Sequence, residues 1–333
     1  MGSYRLSLRP AILWTRKDKI AQSYWSLSSL DPTSANMRYG AFKASDDADV
    51  PYRLWLAEKP GGAILLLHGC CDYAGAFDDI APRLVKRGFS CMAIDQRGFG
   101  ASDSRGTWTS KDRMVADVRD AVEIFRKRAG ANLPLFVMGE SMGGSITVHT
   151  AATQSDLNIA GIVLVAPGAL ASAFRNKLYN WVMHTIRFFA GQSEIVIERN
   201  DASELSTSAA IRLLGDPMVM QSAHADLLAG VFGMGYDAVS AAKQVHIPAL
   251  TIVAGRDDLI SNACVHQLHA NLAGRKSLFE LKTGPHLLLH WRHGGVVLRR
   301  ARRWIEAQLA QTVQLQKTDL RLAGASNQLP QSL

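Results

Sequence analysis

Short runs of aliphatic residues alternate along this chain with longer, helix-like stretches. The runs are Ala63 to His68, Ser90 to Ile94, Leu135 to Met138, Ile162 to Val165, Ala249 to Val253 and Ser277 to Lys282. Several of them lack polar alternation, which predicts strands buried on both faces. Between them Phe77 to Arg87, Lys111 to Ala129, Gly143 to Ala152, Ala263 to Leu272 and Gly295 to Leu309 predict helices. That alternation implies an α/β protein with a mostly parallel sheet, helices on both faces and right-handed crossovers. Met37 to Ala44 and Pro51 to Glu58 flank the acidic turn Asp46-Asp47-Ala48-Asp49 and predict an antiparallel pair at the sheet edge.

The pattern changes between about Gly168 and Ile247, where no comparable strand repeats. The interval reads as several helices rich in apolar residues, among them Leu178, Trp181, Val182, Ile186, Phe188 and Phe189. An insertion of that length between two core strands predicts a cap over the carboxyl edge of the sheet, rather than helices that only pad the core. The expected organisation is an amino-terminal extension over 1–35, core over 36–167, helical cap over 168–247, core over 248–312 and a tail over 313–333. Both extensions lack firm periodicity, and no internal repeat is visible.

Composition narrows the picture. With 333 residues and 47% hydrophobic content, the chain can bury one large core or two modest ones, and it does not read as disordered, collagenous or coiled coil. The basic start (Arg5, Arg9, Arg16, Lys17, Lys19) surrounds an apolar stretch, Ala11 to Trp14, too short for a signal-peptide core, and no run reaches membrane-spanning length. Leu6 stands where a myristoylation signal needs Ser or Thr, so a cytoplasmic location is expected. Cys70, Cys71, Cys91 and Cys264 make no metal-ligand spacing and read as reduced thiols used as small hydrophobes; no metal or cofactor is expected. The net charge of +8 has its densest cluster at Arg299, Arg300, Arg302 and Arg303. A solvated helix face accounts for that cluster ahead of weak peripheral contact with a membrane, and no nucleic-acid motif accompanies it.

Candidate chemistry centres on Gly139-Glu140-Ser141-Met142-Gly143, set between a predicted strand and a predicted helix. A serine in a sharp strand-to-helix turn is a nucleophile elbow, and the flanking glycines leave room for the strained backbone. Such a serine needs a histidine to take its proton and an acid to orient that histidine. His286 follows the last predicted strand in Gly284-Pro285-His286, with His290 and His293 as rivals. Asp257 and Asp258 follow the strand ending at Val253, and only one of two adjacent side chains can face His286. The order serine, acid, histidine is that of the α/β-hydrolase fold. An oxyanion hole would use the amides of Met142, after the nucleophile, and Cys70, after the strand Ala63 to Leu67. His68 reads as a structural histidine orienting that loop.

With these residues the chain resembles the α/β-hydrolase superfamily, in the branch of monoacylglycerol lipases, lysophospholipases and related serine aminopeptidases. The resemblance covers about residues 37 to 310. It rests on His68-Gly69, on Asp95-Gln96-Arg97-Gly98-Phe99-Gly100-Ala101-Ser102, on Gly139 to Gly144 and, more weakly, on Gly215-Asp216-Pro217-Met218-Val219. It implies Asp257 as the acid, through Asp257-Asp258-Leu259-Ile260, although a count from Gly255 favours Asp258. Two departures stand out: Cys70-Cys71 after His-Gly, and Pro285 before His286.

The resemblance implies a serine esterase acting on a small-molecule acyl ester or lipid through an acyl-enzyme. An aminopeptidase of the same fold is the alternative, and it would need an acidic site for the substrate amine, for which Glu194, Glu198, Asp201 and Glu204 are candidates. A noncatalytic binding member is a third reading. The oligomeric state is not legible in the sequence.

Overall fold

Consecutive apolar residues are sorted by a two-residue period onto the two faces of one sheet. The computed structural model describes residues 4–9, 37–170, 193–199 and 202–326. Its main sheet runs in the order β11 (Lys276–Leu281), β10 (Ala249–Ala254), β7 (Ile159–Val165), β6 (Leu135–Glu140), β4 (Gly62–Leu67), β5 (Phe89–Ile94), β3 (Asp49–Trp55), β2 (Met37–Lys43). Pairings from β11 through β5 are parallel, while β5 with β3 and β3 with β2 are antiparallel, so the hairpin at the edge is where the sequence predicts it.

In β4, Ala63, Leu65 and Leu67 enter one hydrophobic cluster and Ile64 and Leu66 the other; in β6, Leu135 and Val137 are separated in the same way from Phe136 and Met138. Burying each of the larger side chains stabilises the fold by about 1.5–3 kcal/mol relative to exposure. The first cluster is covered by α2 (Lys111–Ala129), α3 (Met142–Thr153), α5 (Ala225–Ala241) and α6 (Asn262–Asn271), through Val118, Ile146, Leu227 and Val265. The second is covered by α1 (Ala81–Val85) and α7 (Gly295–Ser326), through Leu84, Val297, Ala301 and Ile305. On α7, Arg299, Arg300 and Arg303 are exposed and Arg302 pairs with Glu306, the arrangement of a solvated helix face.

Local chemistry fixes the ends of α2. Ser110 accepts the Arg113 N–H at 3.0 Å, Asp112 lies in the first turn, and Gly130 follows the last. Met114, Val118, Ala121, Val122 and Phe125 form its buried stripe. The same helix anchors the Asp95-to-Ser102 segment, because Arg97 grips Asp117 through Nε and Nη2 at 2.8 and 2.7 Å. Asp117 is buried and Arg97 nearly so, and Asp46 and Arg113 extend the network.

Three expectations need correction. The helix expected over Phe77 to Arg87 is a 3-10 turn at Ala74–Phe77 followed by α1, with Pro82 in the first turn of α1 and Gly88 at φ +83° beyond it. The insertion is not purely helical: β8 (Glu194–Arg199) and β9 (Ser222–His224) accompany α4 (Thr207–Gly215) and α5. With β1 (Tyr4–Arg9), assigned above to an aperiodic extension, they form a separate antiparallel sheet in the order β1-β8-β9. Finally, α7 continues to Ser326 through the expected tail, in a stretch rich in Gln, Leu, Lys and Ala that favours helix. Leu178, Trp181, Val182, Ile186, Phe188, Phe189 and Asp201 lie outside the described residues. Among the described residues no helix is long and apolar enough to cross a membrane.

Candidate active site

The turn from β6 into α3 leaves Ser141 at φ 54° and ψ −119°, a conformation that ordinary residues avoid. Close packing enforces it. A Cβ on Gly139 would stand 2.1 Å from the Gly143 carbonyl oxygen, and one on Gly143 would stand 2.1 Å from that of Leu67. The Ser141 N–H donates to Val165 O at 3.0 Å and the Gly168 N–H donates to Ser141 O at 2.8 Å, so the elbow is fixed from both sides. Both flanking glycines therefore serve the turn as the motif suggests.

Two neighbouring loops at the carboxyl edge bring the partners. Asp257 leaves β10 in a tight turn whose Leu259 and Ile260 N–H groups donate to Oδ1 at 3.0 and 2.8 Å. Its Oδ2 lies 2.7 Å from Nδ1 of His286, and Nε2 of the same ring lies 2.8 Å from Ser141 Oγ. With Nδ1–H donated to the carboxylate, Nε2 is left to accept from the serine hydroxyl. Burial alone would lower the pKa of His286, but the hydrogen bond and charge of Asp257, with Glu140 and Asp258 behind them, outweigh burial and hold it above its ordinary value of 6.5. Asp258 is exposed, and it acts on the ring only through its charge. The rivals also stand apart: His290 is buried with Nε2 at 3.3 Å from Glu140, and His293 is exposed against Trp291. Of the other histidines, His149 meets the Met234 carbonyl and His269 the Thr251 hydroxyl, while His184 lies outside the described residues.

The Cys70 and Met142 backbones border the same cavity as Ser141 and His286. Met142 opens α3, so its N–H is one of those a helix start leaves without an intrahelical partner. His68 does orient the loop. Its Nε2 accepts the Gln96 N–H at 3.0 Å, its Nδ1 lies 2.7 Å from Gly69 O, and burial depresses its pKa to about 4, so it stays neutral. Cys71 takes φ 64°, and its carbonyl accepts the Met220 N–H at 2.9 Å, which fastens the loop to the insertion. Cys70 and Cys71 carry thiols 3.5 Å apart rather than a disulfide.

Several residues of the site escaped sequence reasoning. Glu140, inside the elbow motif, is 2% exposed; its Oε1 accepts the Leu289 N–H at 2.8 Å. Asp72 pairs with Arg212 of α4, and that cation, against the opposing effect of burial, keeps the carboxyl below its usual range. The one available signal was a charged residue flanking each glycine motif, since a buried charge requires a partner. Met218, within the weaker Gly215-to-Val219 match, packs with Tyr73, Leu213 and Val219 where insertion meets core.

The cavity has a volume of about 320 Å³. Its floor is the Ser141 turn and the Gly69-to-Asp72 loop; its walls include Leu170, Ile197, Leu213, Leu228, Val231 and Phe232 from the insertion and Leu259 from the Asp257 loop. A hydroxyl aligned with an imidazole, two backbone amides nearby and an apolar chamber together suit attack on a carbonyl carried by an apolar group.

Residues 58–290 match the family described as serine aminopeptidase, S33. The monoacylglycerol lipase of Mycolicibacterium smegmatis is 28% identical over 224 residues, 63% of this chain and 76% of that one. The monoglyceride lipase of Mus musculus is 24% identical over 304 residues, 85% of this chain and 96% of that one. A match at 27% identity to an uncharacterized abhydrolase domain-containing protein of Dictyostelium discoideum spans 37% of this chain and 13% of that protein. A soluble variant of monoglyceride lipase from Saccharomyces cerevisiae, solved with a substrate analog, shares the fold with TM-score 0.68 at 19% identity, over 81% of this chain and 94% of that one. Since the family match spans well over half of the chain and takes in Ser141, Asp257 and His286 alike, the chain belongs to the serine aminopeptidase S33 family, within a branch of the α/β hydrolases that includes monoacylglycerol lipases.

Proposed function

We propose that the protein is a serine hydrolase that cleaves carboxylic esters of apolar acyl groups, with Ser141 as nucleophile, His286 as base and Asp257 as orienting acid. The observation that carries this reading is the continuous line from Asp257 Oδ2 through the His286 ring to Ser141 Oγ, at 2.7 and 2.8 Å, on the floor of an apolar chamber. Ser141 Oγ adds to the ester carbonyl as its proton passes to Nε2; the oxyanion is received by the N–H groups of Cys70 and Met142. Collapse expels the alcohol, which takes the proton from His286. Water then adds to the acyl-enzyme with His286 again as base, releasing the acid and restoring the serine.

The similarity to monoacylglycerol and monoglyceride lipases makes a long-chain monoacylglycerol the first substrate to try, with a lysophospholipid next. The segment over 168–247 acts in this reading as a cap that selects the acyl group. For an aminopeptidase, an acidic group must be open to the substrate amine. Glu194 accepts from Ser222, Glu204 pairs with Arg256 and Asp72 with Arg212, which favours the ester reading; the Glu198 side chain lies outside the described residues.

A fluorophosphonate should label the wild-type protein at Ser141, and Ser141→Ala should lose labelling and about 10⁶-fold in kcat, the scale seen when a triad serine is removed. Labelling that persists in the alanine variant contradicts the assignment. Turnover of aminoacyl amides above that of every ester tried would transfer the reading to the peptidase.

A further inference from the structure

The loop that carries His286 has little regular structure of its own. Between β11 and α7 it is shaped by short turns, with the Leu288 N–H donating to His286 O at 2.9 Å and the His290 N–H donating to Leu287 O at 3.2 Å. Proton transfer from Ser141 needs the imidazole placed within a few tenths of an ångström, so the loop must be fixed from outside. One set of ties is to the insertion: the Ser206 N–H donates to His290 O and the Arg292 N–H to Glu204 O, both at 2.9 Å. On the core side the Arg256 N–H donates to Gly284 O at 3.0 Å, and beyond His286 a side chain makes the tie. Glu140 ends β6 in register with Val165 and directly precedes Ser141. Its Oε1 accepts the Leu289 N–H at 2.8 Å, and its Oε2 lies 3.3 Å from His290 Nε2.

We infer that Glu140 is a positioning residue for this site, its carboxylate fastening the loop that carries His286 to the strand that carries Ser141. The inference deepens the hydrolase reading and rests on His286 being the base. Nucleophile and base are thereby referred to one stretch of backbone, the end of β6. The same carboxylate has a second effect through its charge. The charged groups facing His286 are Asp257 from the β10 loop, Asp258 beside it and Glu140 from β6, and all three favour its protonated form against the opposing effect of burial. Beyond Glu140 stand His290, then Asp72 with Arg212.

Two substitutions separate these effects in the full chain. Glu140→Ala removes both; it should lower kcat on a short ester by up to about 10²-fold, the scale of a catalytic group displaced by an ångström, with KM little changed. Glu140→Gln keeps an amide oxygen for the Leu289 N–H and should restore most of kcat. It lacks the charge, so the acid limb of kcat/KM, and of the fluorophosphonate labelling rate, should move to lower pH, because His286 then gives up its proton more readily. A side chain that only filled space would leave the limb unmoved. An unmoved limb in Glu140→Gln, or wild-type kcat in Glu140→Ala, overturns the inference. Should Glu140→Ala fail to fold by circular dichroism, the limb of Glu140→Gln decides alone. Wild-type protein that is not labelled at Ser141 would defeat the hydrolase reading itself, whereas a labelled wild type with an unmoved Glu140→Gln limb defeats only the role of Glu140.

Discussion

Asp257 and His286 leave adjacent parallel strands, β10 and β11, and meet edge to edge with Oδ2 2.7 Å from Nδ1, the carboxylate side chain being 1% exposed. The Asp257 carboxylate therefore sets the orientation of the imidazole. Asp257→Asn should lower kcat by about 10⁴-fold, because the amide stabilises the wrong tautomer, while Asp258→Asn should cost far less. His286 must be neutral to accept a proton, and Asp257 holds its pKa above 6.5. The wild-type kcat/KM should thus rise through an acid limb above pH 6.5, and in Asp257→Asn the residual limb should fall to lower pH. The reverse ranking of the two asparagine variants would move the role to Asp258.

Chain-length selection should follow from the chamber walls. Each methylene removed from water contributes roughly 0.8 kcal/mol, so affinity should climb with acyl length until the cavity of about 320 Å³ is filled. Polar replacements at Leu228 or Phe232, or at Leu259 on the rim, should raise KM for a long-chain ester more than for an acetate ester. Equal effects on both would place the acyl group elsewhere.

The stability of the core should depend on Asp117 far more than on surface pairs. Removing one partner of a buried ion pair costs about 3–5 kcal/mol where the other charge is left uncompensated. Arg97 keeps Asp46 and Arg113 keeps Asp120, so Asp117→Ala should shift urea unfolding clearly, by an amount toward the lower end of that range. Lys43→Ala breaks a pair whose side chains are 64% and 52% exposed and should change stability by less than about 1 kcal/mol. Similar unfolding midpoints for the two variants would refute the contrast.

Much of the core was legible because its signals are local. Leu135 to Met138 reads as a strand without knowledge of its neighbours, and Gly139 and Gly143 announce the tight turn that the backbone then makes. Lys111 to Ala129 carries its own cap, stripe and terminating glycine, and its bounds match the sequence reading. What escaped depends on partners distant in sequence. Glu194 to Arg199 becomes a strand through pairing with Tyr4 to Arg9, and the three-residue β9 has no signature of its own. The alternation of Tyr4, Leu6 and Leu8 with Arg5, Ser7 and Arg9 was the available clue, weak for a segment without a visible partner. Residue chemistry alone left Asp257 and Asp258 open, and only the family resemblance pointed to Asp257, for a related reason. Adjacent carboxylates differ only in where the backbone aims them, and that is fixed by the Leu259 and Ile260 amides.

The small antiparallel sheet also bears on how the chain can be handled. Ile197, a wall of the chamber, sits on its middle strand, with Leu6 opposite on β1 and the Ser222-to-His224 strand on the other side. Clipping the first ten residues would turn that middle strand into an open edge, a row of unpaired backbone groups ready to recruit a strand from another molecule.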